Sequence, residues 1–469
     1  MYFCSHNKAF LAQLVERLIR NEQVAGSSPV KGSKDLSLRF IMRSKFQRNF
    51  WVVIVMEFFE RGAYYGVLSV LSVYLVAGAM DGGLGFSRMQ AGTILGTIQP
   101  LLYFLPIIAG GIADRYGYRK ILFFAFTCMI VGYALTGVFT NYGLVFASLI
   151  IMAIGAGFFK PVISGTIAKS TDETNSTLGF GIFYWSINLG AFLFPLFLVP
   201  NLKAMGYEYI FYMAAVVGLI LLLINTFFYK EPISLRDPDT PQKSVGETLL
   251  GILTVLKDFK FIIFILLYSG FWILYFQMYG TVLWYLRDHM DMTPVNNAVN
   301  SFLGLFIDNP SWVFDTEHVT VVNAGVIICL QLFVSKIVAR TRPLPTMITG
   351  LALGTLGMLI LSISSKPWVF IIGIMVFTIG EMTTHPKFLS YIGMISPPDK
   401  KALYMGYSFL YGVIGSSIGS FLGSALYVKF VDEMGRPGQL WALLSIIGVV
   451  SIIGLLIYNK VVVKSKATA

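Results

Sequence analysis

The chain has 469 residues, of which 56% are hydrophobic and 13% charged, and its mean hydropathy is +0.73. A soluble protein carries about 25% charged residues and needs a polar surface around its core, so a soluble fold is excluded. The net charge of +11 does not point to nucleic acid, because the Lys and Arg residues gather in particular loops, as they do in membrane proteins.

Residues 1–41 stand apart from the rest. The stretch LAQLVERLIRNEQVAGSSPVKGS, Leu11–Ser33, is polar or weakly amphipathic. It lacks the basic start, apolar core and small-residue cleavage site of a signal peptide. It resembles the peptide obtained when a tRNA gene is translated in frame by mistake. On that reading 1–41 is a non-structural extension, the biological start is Met42, and MRSKFQRNFW is a short basic lead.

A membrane span needs about 20 mostly apolar residues. Runs of that kind fall at 51–76, 90–112, 120–139, 142–168, 178–200 and 207–228, then at 260–288, 319–338, 346–364, 367–392, 401–428 and 438–460. The predicted fold is an all-α membrane protein with twelve transmembrane helices in two six-helix bundles. The bundles cover 42–228 and 260–462, joined by a polar linker at 229–259 and followed by a tail at 463–469. Basic residues occupy alternate loops: Arg43, Lys45 and Arg48; Arg115, Arg119 and Lys120; Lys230, Lys243, Lys257 and Lys260; Arg340 and Arg342; Lys400 and Lys401; Lys460, Lys464 and Lys466. That alternation places both termini in the cytoplasm of a multi-pass cell (inner) membrane protein. The longest opposite loop, 289–318, is too short for a domain and is expected to hold a short interfacial helix at Val299–Ile307. Of the three cysteines, Cys4, Cys128 and Cys329, two lie in apolar runs and none forms a C-x-x-C motif.

Ionisable residues inside spans are expensive and point to function. The first span carries Glu57, Glu60 and Arg61, the fourth Lys160, and the tenth Glu381, His385 and Lys387. Glu57 and Arg61 are four apart and expected to pair on one helix face. A carboxylate in low dielectric with a cation at hand can load and release a proton as its surroundings change, with Lys160 as the cation that changes position. A static ion network that locks helices is the competing reading. Glu381 sits five residues before Pro386, which can bend its helix, and its expected target is a substrate ammonium group. The alternative is a pair with Lys387 or His385. One His and one Glu make a weak metal site, so no metal and no cofactor are expected. Asn188, Asn323, Tyr64, Tyr65 and Tyr184 place further polar groups within spans. No nucleophile–base arrangement appears, so the expected protein is not an enzyme.

The segment GGIADRYGYRK, Gly110–Lys120, resembles the signature loop of the major facilitator superfamily. Asp114, with Arg115 and Arg119 nearby, is expected to accept hydrogen bonds from helix N-termini and latch the cytoplasmic side. Four further segments resemble motifs of the proton-dependent oligopeptide transporters of that superfamily: EFFERGAYYG (Glu57–Gly66), GAGFFKPVISG (Gly155–Gly165), FYWSINLG (Phe183–Gly190) and GEMTTHP (Gly380–Pro386). FWILYFQ (Phe271–Gln277) is similar to the seventh-span motif. The resemblance implies proton coupling by Glu57, Glu60, Arg61 and Lys160. It also implies substrate binding by Arg61, Tyr65, Lys160, Tyr184, Asn188, Asn323 and Glu381.

The departures are specific. Gly62 stands where the family has Phe, Leu68 where it has an arginine, and Phe276 where it has a glutamate. The last two form an extracellular-side gate in the family. Losing both charges together is tolerable, whereas losing one would strand the other. A Leu68–Phe276 apolar contact is the expected substitute. The resemblance thus implies import of di- or tripeptides with protons by a monomer in the lipid bilayer. The alternatives are transport of another small amino- or carboxylate-bearing solute, with altered coupling or direction, and a non-transporting receptor.

Overall fold

A computed structural model describes residues 46–172, 175–232, 246, 255–397 and 400–463. The regular structure among them is helical. α1 runs Arg48–Val76, α2 Arg88–Tyr116, α3 Tyr118–Val138 and α4 Tyr142–Ser170. α5, Ser176–Leu193, passes through a π-helical turn at Phe194–Leu198 into α6, Val199–Met205, and α7 follows at Glu208–Phe227. Beyond residue 255 come α8, Phe259–Phe276, and α9, Thr281–His289, joined by a 3-10 turn at Gln277–Tyr279. Next are α10, Thr293–Leu303, α11, Glu317–Val338, α12, Pro343–Ile363, and α13, Pro367–Ile395. α14, Lys401–Tyr407, α15, Leu410–Tyr427, and α16, Pro437–Tyr458, complete the order.

Eleven helical stretches among the described residues are long and apolar enough to cross a membrane. They follow the second to twelfth predicted spans in order, with α5–α6, α8–α9 and α14–α15 each counting as one. α1 has the length, 29 residues, but Glu57, Glu60 and Arg61 dilute its apolar content. The fold is an all-α multi-spanning membrane protein. The predicted interfacial helix begins earlier than expected: it is α10, and Pro294 in its first turn pre-sets the helical φ. The extension 1–41 and most of the linker 229–259 lie outside the described residues.

Two helix crossings position the residues that matter below. In a bilayer, small residues let backbones approach closely. A Cβ on Gly190 of α5 would lie 2.5 Å from the Phe58 carbonyl and 2.9 Å from the Gly62 nitrogen of α1. A Cβ on Gly380 of α13 would lie 2.5 Å from the Gly354 nitrogen of α12. The first crossing holds α5, which carries Asn188, against α1, and the second holds α13, which carries Glu381, against α12. Gly62 itself is covered by the Phe194 ring, which a Cβ there would strike at 2.4 Å, so the aromatic bulk missing from position 62 comes from the π-helical turn after α5. We expect Gly190→Leu to destabilise the protein by about 1–3 kcal/mol through overpacking, read as a lowered thermal unfolding midpoint in detergent.

Candidate functional site

The α1 charges lie inside the helix assembly. Glu57, Glu60 and Arg61 are all buried. The i, i+4 spacing predicted a Glu57–Arg61 pair, and the structure ranks the partners differently. Arg61 Nε donates to Glu60 Oε2 at 2.5 Å, whereas Glu57 Oε1 lies 3.6 Å away. The guanidinium also stands 4.8 Å from the Tyr64 ring centroid, a favourable cation–π distance. Among the described residues Glu57 Oε2, Glu60 Oε1 and Arg61 Nη2 have no hydrogen-bond partner. The cluster therefore has one tight ion pair, and Glu57 is the loosely held member.

Lys160 of α4 is half-buried and lies within electrostatic range of Glu57, Glu60 and Arg61. Among the described residues it forms no ion pair. Its Nζ instead stands 5.2 Å from the Tyr103 ring centroid. Asn188 Nδ2 donates to the Tyr184 carbonyl at 2.9 Å, one turn earlier on α5. Tyr184 is 46% exposed, and its phenol lies within electrostatic range of Glu381 and Tyr65. It therefore faces the space between α5 and α13.

Glu381 pairs with neither Lys387 nor His385. Its Oε2 accepts from Asn323 Nδ2 of α11 at 3.0 Å, and the same amide donates to Thr378 Oγ1 at 3.0 Å. Lys387 Nζ donates to the Thr341 and Ala339 carbonyls at 2.9 and 3.4 Å, closing the C-terminal end of α11. His385 Nδ1 lies 3.2 Å from the Tyr268 hydroxyl, with Trp272 and Tyr411 edge-on to its ring. Among the described residues no cation lies within ion-pair distance of Glu381, and no His, Cys, Asp and Glu group suited to a metal occurs.

Tyrosines fill the ground between the α1 charges and Glu381. Tyr65, Tyr103, Tyr184, Tyr268, Tyr275, Tyr279 and Tyr411 all lie within electrostatic range of Glu381. Tyr103, Tyr268, Tyr279 and Tyr411 were not singled out from the sequence. The available signal was a phenol within an otherwise apolar span, which packing explains equally well.

The residues expected to gate the protein lie in two places, the centre of the assembly and the α2–α3 turn. Phe276 meets the Tyr103 ring edge-on at 5.8 Å, while Leu68 lines a small gap with Tyr64, Ile98, Leu102, Tyr133 and Met152. The contact that joins Phe276 to the first half is thus an aromatic one between α8 and α2. At the α2–α3 turn, Asp114 Oδ1 accepts from Tyr118 Oη at 3.0 Å and from Lys169 Nζ at 3.4 Å, not from a helix N-terminus. Glu231 takes that place, accepting from the Tyr118 and Arg119 N–H groups at 2.6 and 2.8 Å. Arg115 stacks over its neighbour Tyr116.

Ion pairs between distant chain regions gather at one end of the assembly. Arg88, at the start of α2, bonds Asp288 of α9 at 2.7 Å and Asp432 beyond α15 at 2.8 Å. Its guanidinium stands 4.4 Å from the Tyr427 ring centroid. Arg287 bonds Asp81 at 2.7 Å. Lys203 of α6 bonds Asp315 at 2.5 Å and Glu317 at 3.1 Å. Burial pushes the Asp315 carboxyl up, but the Lys203 ammonium and the Thr316 N–H outweigh it and hold the group below the usual carboxylate range. This pair stays charged until pH falls through that lowered value. Among the described residues no such pair links residues before 232 to residues after 255 at the opposite end. These charges were legible in the sequence only as loop residues, because nothing in their spacing brings 88, 288 and 432 together. Removing Arg88 strands two aspartates, so we expect Arg88→Ala to part this end. Spin labels at the exposed positions Met80 and Met434 then report longer distances by pulsed electron resonance, while an unchanged distribution counts against a clasp.

The comparisons agree with this architecture. The model of the Major Facilitator Superfamily matches residues 51–308 and 311–468. The di-/tripeptide transporter of Lactococcus lactis subsp. lactis is 31% identical over 46% of this chain and 45% of its own length. The dipeptide and tripeptide permease B of Aeromonas hydrophila is 24% identical over 85% of this chain and 91% of its own. The chain thus spans about half the length of the Lactococcus relative and most of the Aeromonas one. Among solved structures, a peptide transporter POT in complex with sulfate superposes with a TM-score of 0.73, 20% identity and coverage of 89% of this chain and 94% of that one. A POT family transporter in complex with 5-aminolevulinic acid gives 0.70, 20%, 88% and 96%.

Proposed function

The chain belongs to the Major Facilitator Superfamily, and from that premise we propose that it is a proton-coupled symporter importing di- and tripeptides by alternating access. The observation that carries this reading is a separation of charge within one half-buried site. Arg61 and Lys160 supply cations on α1 and α4, and Glu381 on α13 presents a carboxylate with no cation of its own. A peptide zwitterion matches both ends: its carboxylate meets Arg61 and Lys160, and its ammonium meets Glu381 and Asn323. Tyr65, Tyr184 and Asn188 line the path between them. The names of the Lactococcus and Aeromonas relatives support the substrate class.

In this reading twelve helices form two six-helix bundles, α1–α7 and α8–α16 without α10, with both termini cytoplasmic as the basic loops indicate. The end clasped by Arg88, Arg287 and Lys203 is then extracytoplasmic, and the site opens toward the cytoplasm. The clasp takes over the gating that the family places at positions 68 and 276, with Tyr103 and Phe276 closing the centre. The α2–α3 turn, with Asp114 and Arg115, belongs to the cytoplasmic machinery.

The test is uptake into proteoliposomes under an imposed pH gradient, screened with di- and tripeptides. Saturable peptide flux that is unchanged when the gradient is collapsed removes proton symport. A second reading, another small solute bearing amino and carboxylate groups, is favoured by the same charge separation and by the relative bound to 5-aminolevulinic acid. Competition separates the two, because dipeptides displace the transported solute with high affinity only in the first.

A further inference from the structure

α11, α12 and α13 do not close against one another along their whole length. Val326, Ile327, Val334, Val338 and Met382 form a small apolar cluster separate from the main core, so this part of α11 is held to α13 by a patch of its own. Beside it a groove of about 680 Å³ runs between α11 and α12. Its outer wall is built from Phe333 and Ile337, which are 64% and 58% exposed. It therefore opens sideways toward the bilayer and not into the Glu381 site.

The chemistry of the groove is divided. Four threonines line it, yet every hydroxyl is already engaged: Thr341 with the Val338 carbonyl at 2.7 Å, Thr346 with the Thr341 hydroxyl at 2.6 Å and the Arg342 carbonyl at 2.8 Å, Thr349 with Pro345 at 3.2 Å and Thr383 with Ile379 at 2.8 Å. The walls offer a guest apolar surface and no free donor. The charge sits at one end. Arg342 lines the groove, Lys336 and Arg340 are exposed on the adjoining stretch of chain, and among the described residues none of the three is in an ion pair. Lys387, the other cation nearby, is committed to the carbonyls that close α11. A soluble solute would need donors along the walls. A molecule with a long apolar body and an anionic head fits an apolar slot with a cationic mouth, and basic pockets between membrane helices bind anionic headgroups in this way.

We propose that this groove is a binding site for an anionic phospholipid, with an acyl chain between α11 and α12 and the headgroup phosphate at Arg340 and Arg342. The site is independent of which leaflet it faces and of what the protein transports. Ile379 and Thr383, which line it, flank Glu381 on α13, so an occupant braces the helix that carries the substrate carboxylate.

Native mass spectrometry of the purified full-length chain, incubated with equal amounts of dioleoylphosphatidylglycerol and dioleoylphosphatidylcholine, tests this. The expected result is selective retention of the anionic lipid, weakened roughly fivefold for each arginine removed in Arg340→Gln and Arg342→Gln. Thr349→Trp, which fills the groove without changing charge, lowers retention of the anionic lipid while both arginines remain. Equal retention of the two lipids by the unaltered chain overturns the proposal. So does retention of the anionic lipid that neither arginine variant changes. Displacement of the lipid by excess glycerol 3-phosphate overturns it too, because that outcome assigns the rim to a soluble phosphate. Unfolding midpoints measured without added lipid identify any variant that fails to fold, and the remaining variants then decide.

Discussion

Glu57→Gln abolishes gradient-driven accumulation while counterflow exchange continues. The expectation follows from how the three α1 charges divide. Arg61 Nε is held by Glu60 at 2.5 Å, and Glu57 stands off at 3.6 Å, its Oε2 without a hydrogen-bond partner among the described residues. Neutralising Glu57 leaves Arg61 paired and the helix contacts intact. Neutralising Glu60 removes the close partner of a buried guanidinium and leaves it only the Glu57 contact at 3.6 Å, a more destabilising change. In the proposed cycle Glu57 is therefore the carboxylate whose charge changes without dismantling the cluster, and Lys160, in electrostatic range and in no ion pair among the described residues, is the cation that answers it. Under a one-unit pH gradient, one-proton symport sustains at most about tenfold accumulation, since one unit corresponds to ~1.4 kcal/mol. For Glu57→Gln the ratio falls to unity, while exchange of labelled for unlabelled substrate continues. Glu60→Gln loses both. If Glu57→Gln and Glu60→Gln lose exchange alike, Glu57 is a structural residue and the coupling assignment is wrong.

What could be read from the sequence depended on how local each signal was. Spans were legible because twenty apolar residues in a row have few other uses, and their order carried through to the structure. Charges inside spans were legible because each is costly, and every one of them lies at or beside the central site, except Lys387. That residue carries the same burial signal as Lys160, but it caps the end of α11, and only the three-dimensional position of Ala339 and Thr341 separates the two. Pairing was less legible. The i, i+4 rule picked Glu57 for Arg61, and the long guanidine arm folded back onto its neighbour Glu60. The Arg88 clasp could not be read at all, because it joins residues 200 and 344 positions apart. Gly62 shows the same limit from the other side. As a departure from a motif it looked like lost aromatic bulk, and the Phe194 ring packs over it from a different helix.

Glu381→Gln weakens binding of substrates with a free amino terminus by about a hundredfold or more, the usual scale for removing one partner of a buried, hydrogen-bonded charge pair. The site makes this effect selective. Asn323 donates to Glu381 from one side, and its amide serves a glutamine oxygen equally well, so the protein without substrate tolerates the change. The loss appears only when an ammonium arrives and finds no negative charge. The measurement is competition by a dipeptide and by its N-acetyl form. In the unaltered protein the free dipeptide competes far better, and in Glu381→Gln the two converge. Asn323→Ala gives the complementary result. It leaves the charge in place but removes the donor that orients it, so the preference for a free amino terminus survives at reduced affinity. Should the acetylated dipeptide remain the weaker competitor by the same factor in Glu381→Gln, the ammonium is bound elsewhere, and the tyrosines around Tyr268 and Tyr411 become the place to look.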